Sequence, residues 1–283
     1  MKKIFCLLAA AVLISSAAFA ASVKTVEVST AQEFLDAIAS DRIIVVKESF
    51  EITPALLDAR NSKLKVSYEK AKTTSKKVFF VEETDGPELH IANVKNLSII
   101  AGEDVIVLMA SPRYADVISF DRCSGITIKG LTIGHTEEGY CDKGVLGFDN
   151  CSHVLVDRGD LYGCGTEGVG VYNCVDVTFK ATKIHDCTYH IMHLSGSNYV
   201  LFDGCQFFRN REFEQVNISG CKNVEFDNCM FANNTGNLFN VSCPVTMRDC
   251  VLLHDGMFWG DTENINFINC VFDEYFNPEQ ALG

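Results

Sequence analysis

The chain has 283 residues, 47% of them hydrophobic, and a formal net charge of −13 at pH 7. An acidic surface repels nucleic acid and anionic membranes, so neither is an expected partner. It also disfavours a polyanionic substrate unless a cation or a local basic groove compensates the charge. The length is sufficient for one substantial domain.

The N-terminus has the pattern of a bacterial secretory signal. Two lysines follow the first methionine, residues 4–14 are apolar, and residues 18–20 (Ala-Phe-Ala) form a small-x-small cleavage site. We therefore expect residues 1–20 to be removed and residues 21–283 to form a single domain that is secreted or periplasmic. No second long apolar run follows, so no membrane span is predicted.

Residues 29–39, with the sequence STAQEFLDAIA, are predicted to form an amphipathic helix that caps the N-terminal end of the domain. Thr30 and Glu33 have the spacing of a capping box. Three apolar residues share one face of this helix: Phe34, Leu35 and Ile38. The segment RIIVVKESFEI is expected to follow as a first coil, and residues 54–88 to form an irregular excursion.

A repeat occupies residues 97–275. Eight strand-like segments start 20 to 29 residues apart, at Leu97, Ile126, Val154, Val177, Val200, Val224, Val245 and Ile265. Apolar and water-tolerant residues alternate within each segment, which is the β-strand pattern. Gly, Asn or Asp commonly stands four residues after the start, and these residues accept the left-handed backbone of a sharp corner.

Each repeat is interpreted as a strand, a corner, a second strand, a bend and a third strand. Three short strands per turn, stacked on their equivalents one repeat away, predict an all-β fold. The fold is a right-handed parallel β-helix, a solenoid of about eight or more coils with an N-terminal capping helix. A β-propeller is excluded, because each of its blades needs about 40 residues.

Twelve cysteines follow the signal segment, and in an exported protein an even number ordinarily indicates disulfides. Most of them, however, recur at equivalent positions of the repeat, where parallel neighbours point their side chains the same way. We therefore expect mainly reduced stacks of small buried side chains. Cys141 fits no such stack, so a bridge from it to Cys164 or Cys187 is left open.

The repeated NVxF[DN]NC and NLSIIAG runs resemble those of secreted bacterial β-helix proteins of the pectate-lyase-like superfamily, over roughly residues 22–275. The resemblance implies the fold, which polysaccharide lyases, glycoside hydrolases, adhesins and structural proteins share. The Trp-x-Asp-His and Arg-x-Pro-x-x-Arg runs of pectate lyases are absent. The adjacent aspartates and the Gly-His-Gly of polygalacturonases are absent as well, and His135 stands in Gly-His-Thr instead.

A strip of polar residues beside the predicted third strand contains the candidate site. The candidates for catalysis are His135, Asp186, His190, Arg209 and Glu214. The candidates for substrate binding are Tyr189, Arg211 and Trp259. A hydrolase would use Asp186 and Glu214 as its two carboxylates, with Glu167 in reserve. A lyase would use His190 or Arg209 as the base, with Arg211 as the neutralising cation.

Two functions are left open by these residues. In the first, an exported β-helix protein binds or cleaves a polysaccharide along a groove beside the third strand, as a lyase or a glycoside hydrolase. In the second, a non-catalytic cell-envelope or surface rod presents an interaction face to a protein or glycan. No metal or other cofactor is predicted, since no candidate ligands have the spacing of a known short motif. A divalent cation such as calcium remains an option, and the oligomeric state is not predicted.

Overall fold

The computed structural model describes residues 23–137, 143–163, 167–212, 214–253 and 258–273, with residues 258–261 as backbone only. The predicted signal segment lies outside these ranges, as do Cys141 and Cys164. In the part of the chain that is described, no helix is both long and apolar enough to cross a membrane.

Three sheets wind around one core, and each collects one strand from every coil. Within the described residues, the first sheet contains Lys24–Val28, Arg42–Val46, Lys95–Ala101, Ser124–Lys129, Ser152–Asp157, Val175–Lys180, Asn198–Asp203, Lys222–Asp227, Val245–Arg248 and Ile265–Ile268. The second sheet contains Phe50–Glu51, Ile106–Ala110, Leu131–His135, Asp160–Tyr162, Lys183–His185, Gln206–Phe208, Met230–Ala232, Val251–Leu253 and Val271–Phe272. The third sheet contains Val78–Glu82, Pro87–Ala92, Ile118–Asp121, Leu146–Asp149, Glu167–Tyr172, His190–Ser195, Glu214–Ser219, Asn237–Val241 and Phe258–Asp261.

Strand pairing in the first sheet follows the repeat that the sequence predicts. Ile126 pairs with Val154, Val154 with Val177, and Val177 with Val200, and the same alignment continues to Ile265. These pairs are parallel, so each coil lies directly over its neighbour. The prediction of a parallel β-helix is therefore confirmed.

Equivalent apolar side chains stack inside the rod. The rings of Phe179, Phe202 and Phe226 are fully buried and lie one above another, with centroids 4.8 Å apart and planes within 6°. Phe207 from the second sheet meets Phe202 edge-on at 5.8 Å. The core is thus a set of continuous side-chain files that run along the axis.

Sharp corners between the first and second strands use the left-handed backbone. The residues at this corner have φ between 46° and 68°: Gly130, Arg158, Ala181, Gly204, Asn228, Asp249 and Asn269. A second left-handed corner follows the second strand, at Gly163, Asp186, Arg209 and Asn233. Two of the predicted catalytic residues therefore occupy backbone corners, where Asp and Arg are more costly than glycine.

Ten cysteines are described and all are free; nine of them are buried. Besides packing in the core, three of the sulfurs accept a hydrogen bond from a backbone N–H of the preceding coil. The Cys123 N–H donates to Cys151 Sγ at 3.4 Å, and the Cys151 N–H donates to Cys174 Sγ at 3.3 Å. The next member of this file is Ser197, whose hydroxyl accepts from the Cys174 N–H at 3.0 Å. Some of the thiols thus satisfy backbone donors at the corners, in addition to forming the predicted stacks of small buried side chains.

The N-terminal helix is Ala31–Ala37 and Thr30 caps it as predicted, whereas Glu33 reaches back to the residue before the cap. The Glu33 N–H donates to Thr30 Oγ1 at 3.2 Å, and the Ser29 N–H donates to Glu33 Oε2 at 2.8 Å. Phe34 and Leu35 are buried in the core at this end of the rod. The strand Lys24–Val28 precedes the helix and forms the edge of the first sheet, which sequence analysis did not anticipate.

The poorly repeating segment contains short helices instead of a regular coil. These are Thr53–Leu57, the 3-10 helix Ala59–Leu64 and Tyr68–Ala71. The strand Val78–Glu82 then pairs antiparallel with Pro87–Ala92 at the edge of the third sheet. The helix Tyr68–Ala71 lies beside the outer face of the third sheet.

Candidate functional site

The predicted catalytic residues fall into separate environments. Asp186 and Arg209 lie at the corner after the second strand, where their left-handed backbones stack on one another. His190 and Glu214 begin adjacent strands of the third sheet. His135 ends a strand of the second sheet and is 3% exposed.

Asp186 and Arg209 belong to a cluster built around His185, which we call the His185 clamp. His185 Nε2 lies 2.7 Å from Asp160 Oδ1, and Nδ1 lies 2.6 Å from Asp186 Oδ2. Arg209 donates to both oxygens of Asp186, from Nε at 2.9 Å and from Nη2 at 2.6 Å. The Arg209 guanidinium also lies 4.7 Å from the centre of the Phe208 ring, which stacks on His185.

Electrostatics in the clamp oppose acid catalysis by Asp186. The hydrogen bonds from Arg209 and His185 lower the pKa of Asp186 to about 2 although partial burial opposes this. Burial also lowers the pKa of His185, but the hydrogen bonds to Asp160 and Asp186 outweigh it and the net shift is upward. Asp186 is therefore ionised across the physiological range, and the clamp joins three successive coils as an ion-pair network.

We expect the imidazole of His185 to titrate above 6.5 because both of its nitrogens face carboxylates. A raised pKa in the folded state means that the contribution of His185 to stability is complete below about pH 6.5 and is lost as pH rises through the folded-state value. NMR titration of the ring measures this. Asp186→Asn should lower the midpoint, whereas Asp176→Asn, beside the exposed His153, should leave it unchanged; equal midpoints in all three proteins would contradict the expectation.

His190 and Glu214 meet through the backbone, since His190 Nδ1 contacts the Glu214 carbonyl oxygen. The predicted substrate-binding residues are dispersed around them. Tyr189 is half-buried before the third strand, and Arg211 is exposed with its N–H bonded to the Cys187 carbonyl at 3.0 Å. Trp259 lies in the strand Phe258–Asp261, whose side chains are outside the described part of the structure.

His135 is enclosed by its surroundings. Its Nε2 lies 3.0 Å from the Ala115 carbonyl oxygen, which requires the tautomer protonated at that nitrogen. Burial lowers the pKa of the ring, which favours its neutral form. It joins the second sheet to the bend that precedes the third strand.

A different group of titratable residues converges on the outer face of the third sheet, and we call it the acid relay: Glu167, Tyr172 and His193. The Tyr172 hydroxyl donates to Glu167 Oε1 at 2.7 Å and lies 3.3 Å from His193 Nδ1. Glu167 Oε2 is 4.0 Å from the same nitrogen. Strand pairing places Gly170 of one coil beside His193 of the next, so these side chains share one outward surface.

Two members of the acid relay, Glu167 and Tyr172, hold their protons unusually tightly, whereas His193 holds its proton weakly. Burial, reinforced by the nearby charge of Asp116, raises the pKa of Glu167 to about 7. Burial and the neighbouring Glu167 raise the pKa of Tyr172. Burial and the charge of His190 lower the pKa of His193. A carboxyl group protonated near neutral pH, beside a neutral imidazole, is the arrangement that general acid–base catalysis requires.

A buried ionic cluster lies next to the relay. Ser119 Oγ is 2.8 Å from Glu88 Oε1 and 2.7 Å from Asp116 Oδ2. Lys143 Nζ is 3.5 Å from Glu88 Oε2, and the Gly144 N–H donates to Asp116 Oδ1 at 2.7 Å. Burial and the charge of Glu88 raise the pKa of Asp116. Although burial opposes it, the carboxylates Asp116 and Glu88 raise the pKa of Lys143, which stays cationic.

Tyr172 of the relay and the ionic cluster line a groove of about 320 Å³ on the third sheet. Its lining combines acidic, basic and aromatic residues: Tyr68, Lys72, Glu83, Glu88, His90, Asp116, Asp121, Arg122, Lys143, Asp149 and Tyr172. Asp149 pairs with Tyr172 of the next coil and therefore lies directly beside it. The groove thus combines apolar surface with charged groups that can contact hydroxyl-rich ligands.

Two glycines make the close approach of the carboxylates possible. A Cβ atom at Gly147 would lie 2.3 Å from Asp116 Oδ2, and one at Gly170 would lie 2.7 Å from Glu167 Oε1. Gly147 and Gly170 pair across adjacent coils, at an outward position where larger polar residues stand elsewhere. These paired glycines are the sequence signal by which Glu167, Tyr172 and Asp116 could have been found.

Among the residues with described structure, no group of three or more His, Cys, Asp or Glu side chains is arranged to hold a metal ion. A search of curated protein sequences finds no match.

The three sheets define a parallel β-helix with a groove on one face. Residues 116–274, more than half of the chain, match the family model described as right handed beta helix region, and the chain belongs to that family. The structure of pectate lyase Bsp165PelA from Bacillus sp. N165 in complex with trigalacturonate is similar. Its TM-score is 0.57 and its identity 13%, covering 91% of this chain and 85% of that one.

A rhamnogalacturonan lyase is also similar, with a TM-score of 0.51 and 10% identity, covering 83% of this chain and 67% of that one. At such low identities these similarities establish the common fold. Function must be argued from the residues of the site, because this fold carries many activities.

Proposed function

We propose that the protein binds a polysaccharide along the groove of the third sheet and cleaves it by general acid catalysis. The observation that carries the proposal is Glu167, a carboxyl group with a pKa of about 7 whose hydrogen-bond partner, Tyr172, lines the groove. Polysaccharide lyases with the same fold are consistent with a glycan as ligand.

The chemistry follows from the arrangement of protons. When Glu167 is protonated, its hydrogen bond with Tyr172 reverses, so the Tyr172 hydroxyl accepts the proton of Glu167 as it donates its own proton to the leaving oxygen of a glycosidic bond. The neutral His193 lies within hydrogen-bonding distance of the same hydroxyl and stabilises it. Asp149, one coil away on the groove side of Tyr172, supplies the second carboxylate that hydrolysis needs to activate water or the sugar.

Charge favours an uncharged glycan over a polyuronate. Carboxylates outnumber cations along the groove, and Lys143 is already neutralised by Glu88 and Asp116. A uronate would meet this negative field and the net acidity of the chain. We therefore propose hydrolysis of a neutral polysaccharide rather than elimination from a uronate.

A panel of glycans tests the proposal directly. The protein is incubated with neutral polymers of glucose, xylose, mannose and galactose and with polygalacturonate and alginate, while reducing ends and the ultraviolet absorbance of unsaturated products are followed. Reducing ends from a neutral polymer, without that absorbance, are expected. Unsaturated products from a polyuronate would overturn hydrolysis, and binding without cleavage would leave the non-catalytic rod that presents a glycan-binding face.

We also propose that the protein acts outside the cytoplasm as one domain of residues 21–283. The lysines, apolar run and Ala-Phe-Ala site of residues 1–20 support this proposal. An extracellular or periplasmic location would also give access to a polysaccharide too large to cross a membrane. N-terminal sequencing of the exported protein tests it, and retention of the first residues would contradict it.

A further inference from the structure

The helix Tyr68–Ala71 contributes one wall of the groove, although it lies outside the regular coils. Tyr68 is 64% exposed, which is unusual for an aromatic residue that lines a groove. Lys72 Nζ lies 5.2 Å from the centre of its ring. The wall therefore presents a largely exposed aromatic ring at the groove.

This wall is attached to the third sheet at a defined point. The Arg122 guanidinium donates to the Lys72 carbonyl at 3.0 Å and to the Ala71 carbonyl at 3.2 Å. Arg122 also forms an ion pair with Asp121, which lines the same groove. The end of the helix is thus tied to the strand that carries groove residues, so Tyr68 is held in position before any ligand binds.

We propose that Tyr68 is a stacking platform for a pyranose ring of the glycan, and this rests on the proposed function. The face of a sugar ring is a patch of C–H groups between polar edges, and an exposed aromatic ring matches that patch. The neighbouring carboxylates and Arg122 are hydrogen-bonding partners for hydroxyl groups around the edge. A platform in the groove that Asp121, Asp149 and Tyr172 also line would place the bound sugar chain close to the acid relay.

The position of Tyr68 also predicts which kinetic parameter changes when its ring is removed. A platform at the groove wall contacts the substrate without touching the acid relay, so its loss weakens binding and leaves the chemical step intact. Removing the ring should raise KM about tenfold, the effect expected when one aromatic contact is lost. Turnover at saturating substrate should stay within a factor of about two to three of the parent protein.

Calorimetric titration with neutral hexasaccharides of glucose, xylose, mannose and galactose tests the platform. Binding is measured in a Glu167→Gln background, so that the sugar is not consumed. Tyr68→Ala should weaken binding about tenfold and Tyr68→Phe should preserve it. Tyr199→Ala, which removes an equally exposed tyrosine from the first sheet, is the matched control and should have no effect.

The outcomes separate the two proposals. If the Glu167→Gln protein binds a hexasaccharide and adding Tyr68→Ala leaves that binding unchanged, the platform is overturned and the proposed function stands. If the Glu167→Gln protein binds none of the hexasaccharides, both the platform and the proposed function are overturned. If Tyr68→Phe weakens hexasaccharide binding as much as Tyr68→Ala does, the effect belongs to the hydroxyl group and stacking is overturned.

Discussion

Replacing Glu167 by glutamine is expected to reduce glycan cleavage at least a hundredfold, while the protein folds and still binds its ligand. Glutamine has the shape of the protonated carboxyl group and keeps a polar contact to Tyr172, but it has no acidic proton to give. General acid catalysis typically contributes about 10²–10⁴-fold to rate, which sets the size of the expected loss. The measurement is kcat on the neutral polymer that the parent protein cleaves.

The pH dependence provides a second test of the same residue. Glu167 must be protonated to act, so activity should fall as pH rises through about 7, the pKa of this group. Tyr172→Phe should lose a comparable part of the rate, because it interrupts the path from Glu167 to the groove. Glu225→Gln makes the same chemical change at an exposed position of the first sheet and should leave both rate and pH profile unchanged.

Stability distinguishes a lost acid from a damaged fold. The pKa of Glu167 rises from 4.5 to about 7 on folding, so the folded state binds the proton more tightly than the unfolded chain. The free energy of unfolding therefore decreases as pH rises from about 4.5 to about 7. Glu167→Gln lacks this decrease and should be at least as stable as the parent above pH 7. A variant that is inactive because its fold is damaged would instead be less stable than the parent above pH 7.

Replacing Phe202 by alanine is expected to lower the free energy of unfolding by about 3–5 kcal/mol. Phe202 is fully buried, stacks at 4.8 Å on Phe179 and Phe226, and meets Phe207 edge-on. Truncation removes a ring from the middle of a continuous file and leaves a cavity that the fixed spacing of the coils prevents from closing. Chemical denaturation, followed by circular dichroism, measures the change.

Tyr199→Ala is the matched control for this experiment, because Tyr199 stands three residues earlier on the same strand and is 59% exposed. Its loss should change stability by less than about 0.5 kcal/mol, as is usual for surface positions. Equal losses at Phe202 and Tyr199 would contradict a core built from stacked rings. A smaller loss in the double variant Phe179→Ala/Phe202→Ala than the sum of the single losses would show that neighbouring rings act together.

The repeat in the sequence was sufficient to determine the architecture. Alternation by two predicts strands, and the constant position of residues such as Val154, Val177 and Val200 predicts which strands lie together. The corner column, for example Asn228 and Asp249, marks where the chain must turn. All of these signals are local or periodic, and a solenoid needs little else because each coil contacts mainly its two neighbours.

The candidate site was predicted less well, because its members come from coils that the repeat does not distinguish. Asp186 and Arg209 look like free polar residues in sequence, yet His185 binds Asp186 and a left-handed corner holds each of them. The raised pKa of Glu167 depends on burial and on Asp116, which stands 51 positions earlier in the chain.

By itself the sequence determined the parallel β-helix, the capping of the N-terminal helix by Thr30 and the files of buried cysteines and phenylalanines. Those features arise from patterns that recur at fixed spacing. Only the tertiary structure decided which charged groups lose their water, which glycines let carboxylates approach, and where the helix Tyr68–Ala71 is attached. Desolvation and proximity depend on segments distant in sequence, so they exist only once the coils are stacked.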